Sequence, residues 1–199
     1  MLLDIPTGDF AGYVFDLDGT LIDSMPVHYR AWNEAMRRHG LREQLDEDYF
    51  YSLGGVHSVR VAELFGQRYG LTFDPVAVTD EKEKLYLEFL DHVQVIEPTV
   101  AFLKTTAVKF PHAIATGGLR DVAYPSLESA GLRELFEIVI TPADVAPGRG
   151  KPAPDMFLLA AERMGVPASQ CLAFEDAEPG IQAARAAGMQ VVRVPSRRV

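Results

Sequence analysis

Five short apolar runs punctuate this sequence, at residues 11–15, 112–116, 138–141, 171–174 and 191–194. They are continuous rather than alternating, which is the pattern of strands buried on both faces, as in a parallel sheet. Stretches with helical spacing surround the last four runs, at 98–106, 121–130, 155–164 and 179–187. The last three of these run out at Gly131, Gly165 and Gly188, and glycine ends a helix in left-handed backbone without a Cβ penalty. Strands taken in turn with helices predict an α/β fold, a doubly wound (Rossmann-like) parallel sheet.

One segment breaks the alternation. Residues 25–96 carry helical patterns, a first helix to about His39 ended by Gly40 and others at 46–53, 58–69 and 75–92, and no strand. Ser24 and Pro26 signal the first start, a cap candidate and a proline in the first turn. One strand precedes this block and four follow it. The expectation is a helical cap domain, 25–96, inserted into a discontinuous core made of 1–24 and 97–199. With 199 residues, 48% of them hydrophobic, the chain has apolar material for both.

Charge narrows the function. Acidic residues outnumber basic ones by 28 to 19, a net charge of -9, which argues against nucleic-acid and anionic-membrane partners, since both need a basic face. An anionic ligand must therefore be met locally by Lys, Arg, a metal ion or backbone N–H groups. The single cysteine, Cys171, rules out an internal disulfide and suits a reducing cytoplasm. No apolar run approaches the length of a membrane span. The first ten residues carry Asp4 and Asp9 and no basic stretch, which predicts no secretory signal. A cytoplasmic monomer is the expectation.

In an open α/β sheet, ligands bind at the carboxyl ends of the strands, so the residues there are read together. Asp16 and Asp18 follow the first run and, two apart near a strand end, can converge on one volume. Such a pair needs a cation or a shared proton, which points to a hard ion such as Mg²⁺; the alternative is a solvated Asp/Gly turn. Thr116, Gly117 and Gly118 offer a hydroxyl and open N–H groups to a phosphate, or are only a strand end and a turn. Lys151, in the loop after the third run, can neutralise phosphate and keep Asp16 ionised, or be a solvated lysine. Glu175 and Asp176 can complete a metal site, or simply decorate the next helix N-terminus. Jointly the four ends suit a phosphoryl group, a divalent cation and a nucleophile. Residues 148–152, GRGKP, lack the spacing and the hydroxyl residue after lysine of a nucleotide phosphate loop, so an ATPase is rejected.

The stretches FDLDGTLIDS, ATGG, GKPAPDMF and FEDAEPGIQAARAAGM occur in that order between residues 14 and 189. Together they resemble the four motifs of the haloacid dehalogenase superfamily. The helical block after the first motif looks like the β-phosphoglucomutase-like branch. DSMPVHYRAW and the C-terminal third are most similar to bacterial fructose-1-phosphate phosphatases. The resemblance implies that Asp16 is a nucleophile forming an aspartyl-phosphate and that Asp18 is the general acid and then base. It implies a Mg²⁺ held by Asp16, the Asp18 carbonyl and Asp176, with Glu175 nearby or through water, and a phosphoryl group held by Thr116 and Lys151. True dehalogenases lack the second aspartate, so Asp18 weighs against carbon–halogen cleavage.

For the inserted block, Ser24, His28 and Trp32 fall at i, i+4 and i+8 and share a helix face, which the resemblance turns toward the substrate. His28 is a candidate to assist Asp18 or contact a sugar hydroxyl; Trp32 has an alternative reading as core packing with Ala35 and Met36. Gly55 and Arg60 align with a substrate-specificity loop. Lys82 matches a cap lysine that reaches the site in mutase relatives, although the run Glu81-Lys82-Glu83-Lys84 on its own reads as an exposed charged face. There are departures from the mutases. Gly54 stands where they carry lysine, Arg60 is displaced, and Gly118 and Leu119 replace a Ser-Lys pair that meets a second phosphate, leaving Arg120 as the cation nearby. Ala177 replaces a serine of the fourth motif. The expected function is a Mg²⁺-dependent phosphatase acting on small sugar or polyol phosphates such as fructose 1-phosphate. The alternatives are a hexose-phosphate mutase and a catalytically inactive binding module.

Overall fold

The computed structural model describes residues 3–54 and 56–195. The chain divides into two compact units, one made of the segments up to Asp23 and from Gln94 on, the other of Ser24–Val93.

The first unit is built on five parallel strands. In chain order they are β1 (Gly12–Phe15), β4 (His112–Ala115), β5 (Ile138–Ile140), β6 (Cys171–Glu175) and β7 (Gln190–Arg193), and their spatial order is β5-β4-β1-β6-β7. This is the parallel α/β sheet that the five apolar runs predict. β1 is central, with Tyr13 opposite His112 on one side and Leu172 on the other. Its residues alternate between the two faces. Val14 joins the cluster of Ala113, Ala115, Ile140, Met156, Phe157 and Ala160, built under helix α7 (Asp155–Met164). Phe15 turns the other way and stacks on Phe174 at 4.7 Å. Phe174 in turn meets Phe102 of α5 (Glu97–Thr106) at 4.9 Å. Val14 and Phe15 are fully buried, and each such side chain contributes roughly 1.5–3 kcal/mol of transfer free energy. This rigid layer sets the height at which β1 ends and Asp16 begins. Helices α6 (Arg120–Ser129) and α8 (Glu178–Ala186) start just after the ends of β4 and β6.

The strand ends differ from expectation at one informative place. β6 runs one residue further than its apolar run and includes Glu175, which is 1% exposed. A second, two-stranded ribbon was not expected. β2 (Ile22–Asp23) pairs antiparallel with β3 (Gln94–Val95), Ile22 opposite Val95. Ile96 N–H adds a bond to the Leu21 carbonyl at 2.8 Å. Two-residue strands carry no periodicity, so only the long-range pairing reveals them. The ribbon also belongs to the sheet unit, which places the division near 93 instead of 96.

The second unit holds α1 (Met25–Arg38), α2 (Glu47–Ser52), α3 (Ser58–Tyr69) and α4 (Pro75–Glu88). The helix expected to reach 92 stops at Glu88 and tightens into a 3₁₀ turn, Leu90–His92. Asp46 and Asp74 cap α2 and α4 by accepting from Tyr49 N and Val76 N at 3.0 and 2.9 Å, each such cap contributing about 1 kcal/mol. Ser24 sits at the N-cap of α1 without a side-chain cap bond. Gly70 ends α3 at φ +63°. The unit's core gathers Trp32, Phe65, Val78 and Tyr86, all buried.

Candidate active site

The site is assembled from the carboxyl ends of β1, β4 and β6 and the loop after β5. Asp16 continues β1 by one hydrogen bond, its N–H donating to the Phe174 carbonyl at 3.0 Å. The chain then turns sharply: the Leu17 carbonyl accepts from Leu21 N at 2.9 Å and Ile22 N at 3.1 Å, and Gly19 N donates to the Ile22 carbonyl at 2.8 Å. Gly19 is required twice over. Its φ is +85°, and a Cβ there would fall on the Asp176 carboxylate. The turn therefore brings the Asp18 region and Asp176 into close range, and the Thr20 hydroxyl donates to Asp176 Oδ1 at 3.5 Å.

Lys151 is the electrostatic centre. Its Nζ donates to Asp16 Oδ1 at 2.6 Å and to Glu175 Oε1 at 2.5 Å, and its side chain is only 11% exposed. Glu175 is held from the other side by Ala177 N–H, which donates to Oε2 at 3.1 Å. It lies so close over α8 that a Cβ on Gly180 would overlap its carboxylate. Burial alone would lower the Lys151 pKa, yet the charges and hydrogen bonds of Asp16 and Glu175 hold it above the ordinary value. Burial first, and then the charge of Glu175, push Asp16 well above the usual carboxylate range against the opposing pull of Lys151. The same two causes raise Asp176 to about 7. One ammonium is too little for these carboxylates, and a second cation would relieve them.

Thr116 follows β4 and donates its N–H to the Ile140 carbonyl at 3.0 Å. Its Oγ1 accepts from Gly118 N at 3.0 Å, which bends the loop tightly. A Cβ on Gly118 would lie 3.3 Å from Thr116 Oγ1 and 3.6 Å from Asp18 Oδ2, whereas Gly117 faces open space. Asp16, Asp18, Thr116, Gly118, Lys151, Glu175 and Asp176 thus lie together. Asp16, Glu175 and Asp176 offer oxygen atoms within 4.8 Å of one another, a group competent to hold a metal ion.

The predicted residues of the helical unit separate into two sets. His28 stacks on Tyr86 with centroids 3.9 Å apart. Lys82 Nζ lies over the rings of Trp32 and Tyr86 at 5.5 and 5.6 Å and pairs with Glu83 at 3.0 Å. Lys82 is 3% exposed, so the charged run 81–84 is not a uniformly solvated face: one turn of α4 points its lysine stem inward over aromatic rings. Trp32 packs edge-on against Phe65 at 5.4 Å. Ser24 is buried. Arg60 stands apart, paired with Glu63 along α3 at 2.5 Å. Gly55 lies outside the described residues. The sequence reading missed Tyr86 and Glu83, which had no motif to mark them, and Gly180, whose position early in a helix was the available signal.

A five-stranded parallel sheet whose carboxyl edge gathers an aspartate–lysine pair and an acidic oxygen cluster defines a doubly wound α/β protein with a metal-competent site. The model of the haloacid dehalogenase-like hydrolases matches residues 10–188, and the chain belongs to that family of hydrolases. It is 41% identical over 186 residues to fructose-1-phosphate phosphatase YqaB of Escherichia coli K12, covering 93% of this chain and 96% of that one. It is 33% identical over 184 residues to hexitol phosphatase A of the same organism, covering 92% and 82%. Its fold superposes with a TM-score of 0.82 on CbbY from Rhodobacter sphaeroides in complex with phosphate, at 22% identity over 96% of this chain and 89% of that one. No helix among the described residues is long and apolar enough to cross a membrane.

Proposed function

We propose that this enzyme is a Mg²⁺-dependent phosphatase that hydrolyses monophosphates of small sugars or polyols, such as fructose 1-phosphate, through a phosphorylated Asp16. One observation carries the reading: Asp16 lies 2.6 Å from Lys151, with Asp18, Thr116 and Gly118 gathered beside it. Asp16 attacks phosphorus in line, the bond from phosphorus to the sugar oxygen breaks, and Asp18 gives that oxygen its proton. Asp18, now a carboxylate, takes a proton from water. The water oxygen attacks phosphorus, the bond to Asp16 breaks, and inorganic phosphate leaves. Lys151, the Thr116 hydroxyl and the Gly117 N–H hold the equatorial oxygens and stabilise the charge on them, while the Gly118 N–H, expected to share this role, is taken up by Thr116 Oγ1.

The donor set fits Mg²⁺, because the cluster offers hard carboxylate oxygens and neither imidazole nor thiolate. Asp16, Asp176 and the Asp18 carbonyl would hold the ion. Glu175 would act through water, since its two oxygens already serve Lys151 and Ala177 N–H. When bound, the ion supplies positive charge beside the phosphoryl oxygens. The names of the two Escherichia coli relatives support a sugar or polyol phosphate as substrate. The helical unit is read as the cap domain, and Ser24, His28, Trp32, Gly55, Arg60 and Lys82 are its candidates for contacting the sugar, on the family resemblance. The mutase reading is weakened by Arg120, the cation that follows Gly118. Its Nη2 pairs with Asp144 at 3.1 Å, a contact that a second phosphate would have to compete with. A binding module without turnover is disfavoured because Asp16, Asp18, Thr116 and Lys151 are all in place.

Phosphate release from a panel of sugar and hexitol phosphates tests the proposal. Release should be lost in EDTA, restored by Mg²⁺ and abolished by Asp16→Asn. Interconversion of hexose 1- and 6-phosphates with little release would replace it with the mutase, and a folded protein inert on the whole panel with the binding module.

A further inference from the structure

We propose that Asp144 is a positioning residue whose carboxylate pins the two loops that hold the phosphoryl group, a role that rests on the reading of Thr116–Gly118 and Lys151 as that cradle. Asp144 closes a 3₁₀ turn, Pro142–Asp144, directly after β5. Its side chain is 9% exposed. Oδ2 accepts from Thr141 N at 2.9 Å and Thr141 Oγ1 at 2.8 Å. Arg120 Nη2 donates to Oδ1 at 3.1 Å and Oδ2 at 3.3 Å, and Arg163 Nη2 donates to Oδ1 at 3.3 Å.

The topology makes this more than a surface ion pair. Thr116 N is bonded to the Ile140 carbonyl, and Ile140 is followed by Thr141, whose N–H and hydroxyl both go to Asp144. Arg120, the first residue of α6, returns to the same carboxylate. Both ends of the segment Thr116–Arg120 are therefore anchored through one side chain, with Gly117 and Gly118 between them. The Lys151 loop is anchored likewise: it leaves from Asp144 itself and enters α7, whose Arg163 reaches back to it. Arg120 and Arg163 are 53% and 43% exposed, and exposed pairs of this kind add little to stability. What Asp144 supplies is geometry, which matters because a misplacement of about 1 Å costs about 10²-fold in rate. Burial opposes the charge on Asp144, and the hydrogen bonds from Thr141 and Arg163 overcome it and hold the carboxyl below its ordinary range.

The test compares Asp144→Asn, Arg120→Gln, the double variant, and Arg68→Gln. Arg68→Gln removes an ion pair to Asp46 in the helical unit and serves as the stability control. Hydrogen exchange of the peptide 116–124 is read in ligand-free protein, and inorganic phosphate affinity in the presence of Mg²⁺. Asp144→Asn and Arg120→Gln should each speed exchange in 116–124 and weaken phosphate by about tenfold, and the double variant should do no worse than either. Arg68→Gln should do neither. Wild-type exchange in 116–124 for Asp144→Asn, or full additivity of the double variant, overturns the proposal. Arg120→Gln keeps the Thr141 cap and decides the matter if Asp144→Asn does not fold. A wild-type protein that exchanges as expected but neither binds phosphate nor hydrolyses esters would refute the functional reading and leave the anchoring role of Asp144 standing.

Discussion

Gly180→Ala is a one-methyl change at a buried position of α8 that should dismantle the site. In a helix interior the substitution ordinarily gains about 0.5–1 kcal/mol. Here the new Cβ would overlap the Glu175 carboxylate, and restoring an ordinary contact of about 3.5 Å requires a shift of roughly 2 Å. A solvated glutamate would swing aside. Glu175 is 1% exposed and held by Lys151 at 2.5 Å and Ala177 N–H at 3.1 Å. The shift either overpacks the site, at about 1–3 kcal/mol, or breaks a charge-assisted hydrogen bond, at about 1.5–3 kcal/mol. After the helix gain is subtracted, roughly 1.5 kcal/mol of stability is lost, or about 3–6 °C in Tm for a chain of this size. Lys151 moves with Glu175, so kcat should fall about 10²-fold. Thermal unfolding and phosphate release measure both. The Glu175→Ala/Gly180→Ala double variant should lose less Tm than the two single losses summed, because the collision is gone. A Gly180→Ala protein as stable and as active as wild type would refute the reasoning.

Three further outcomes follow from the same geometry. Asp176 is raised from 3.8 to about 7, and Asp16 in the same direction. The metal-free fold therefore keeps protons that the unfolded chain releases between about pH 4 and 7, and its stability falls as pH rises through that window. Mg²⁺ replaces those protons, so its stabilisation should be small near pH 5 and largest above pH 7. Urea unfolding with Mg²⁺ or EDTA across that range tests this, and a Mg²⁺ effect independent of pH contradicts it. Lys82→Met should raise KM for the sugar phosphate about tenfold or more, the loss of a charge-assisted contact, and lower Tm as well, since Glu83 loses its cation. A large Tm loss with unchanged KM would make Lys82 purely structural. Burial raises the Cys171 thiol to about 11, so a disulfide reagent at pH 8 should label it only on unfolding; prompt labelling of the native protein would contradict its burial.

Much of this was legible in the residues. Strands buried on both faces show as continuous apolar runs, and ligands gather where such strands end, so Asp16, Thr116, Lys151, Glu175 and Asp176 could be read as one set before any distance was known. What stayed hidden has a common cause. Asp144 and Gly19 matter through partners remote in sequence, Gly180 through the resting place of the Glu175 side chain five residues before it, and local spacing carries no trace of the Arg163 side chain or of where a carboxylate will rest. Lys82 was obscured differently. It sits in a run of alternating charges whose short period masks the single inward position of a 3.6-residue helix. The β2–β3 ribbon was too short to have a pattern at all.

The place of β1 in the sheet has a consequence for how the molecule comes into being. It precedes the other four strands of its sheet, yet its neighbours are β4 and β6, whose pairing begins at His112 and Cys171. A growing chain carries this buried strand with one edge open until His112–Ala115 is made and the other until Cys171–Glu175 follows. Contacts of such long sequence separation form slowly. The helical unit, whose contacts are local, can form while β1 waits. Asp16 lies before β1's partners and Asp176 directly after β6, so the acidic cluster of Asp16, Glu175 and Asp176 exists only once β6 has been made.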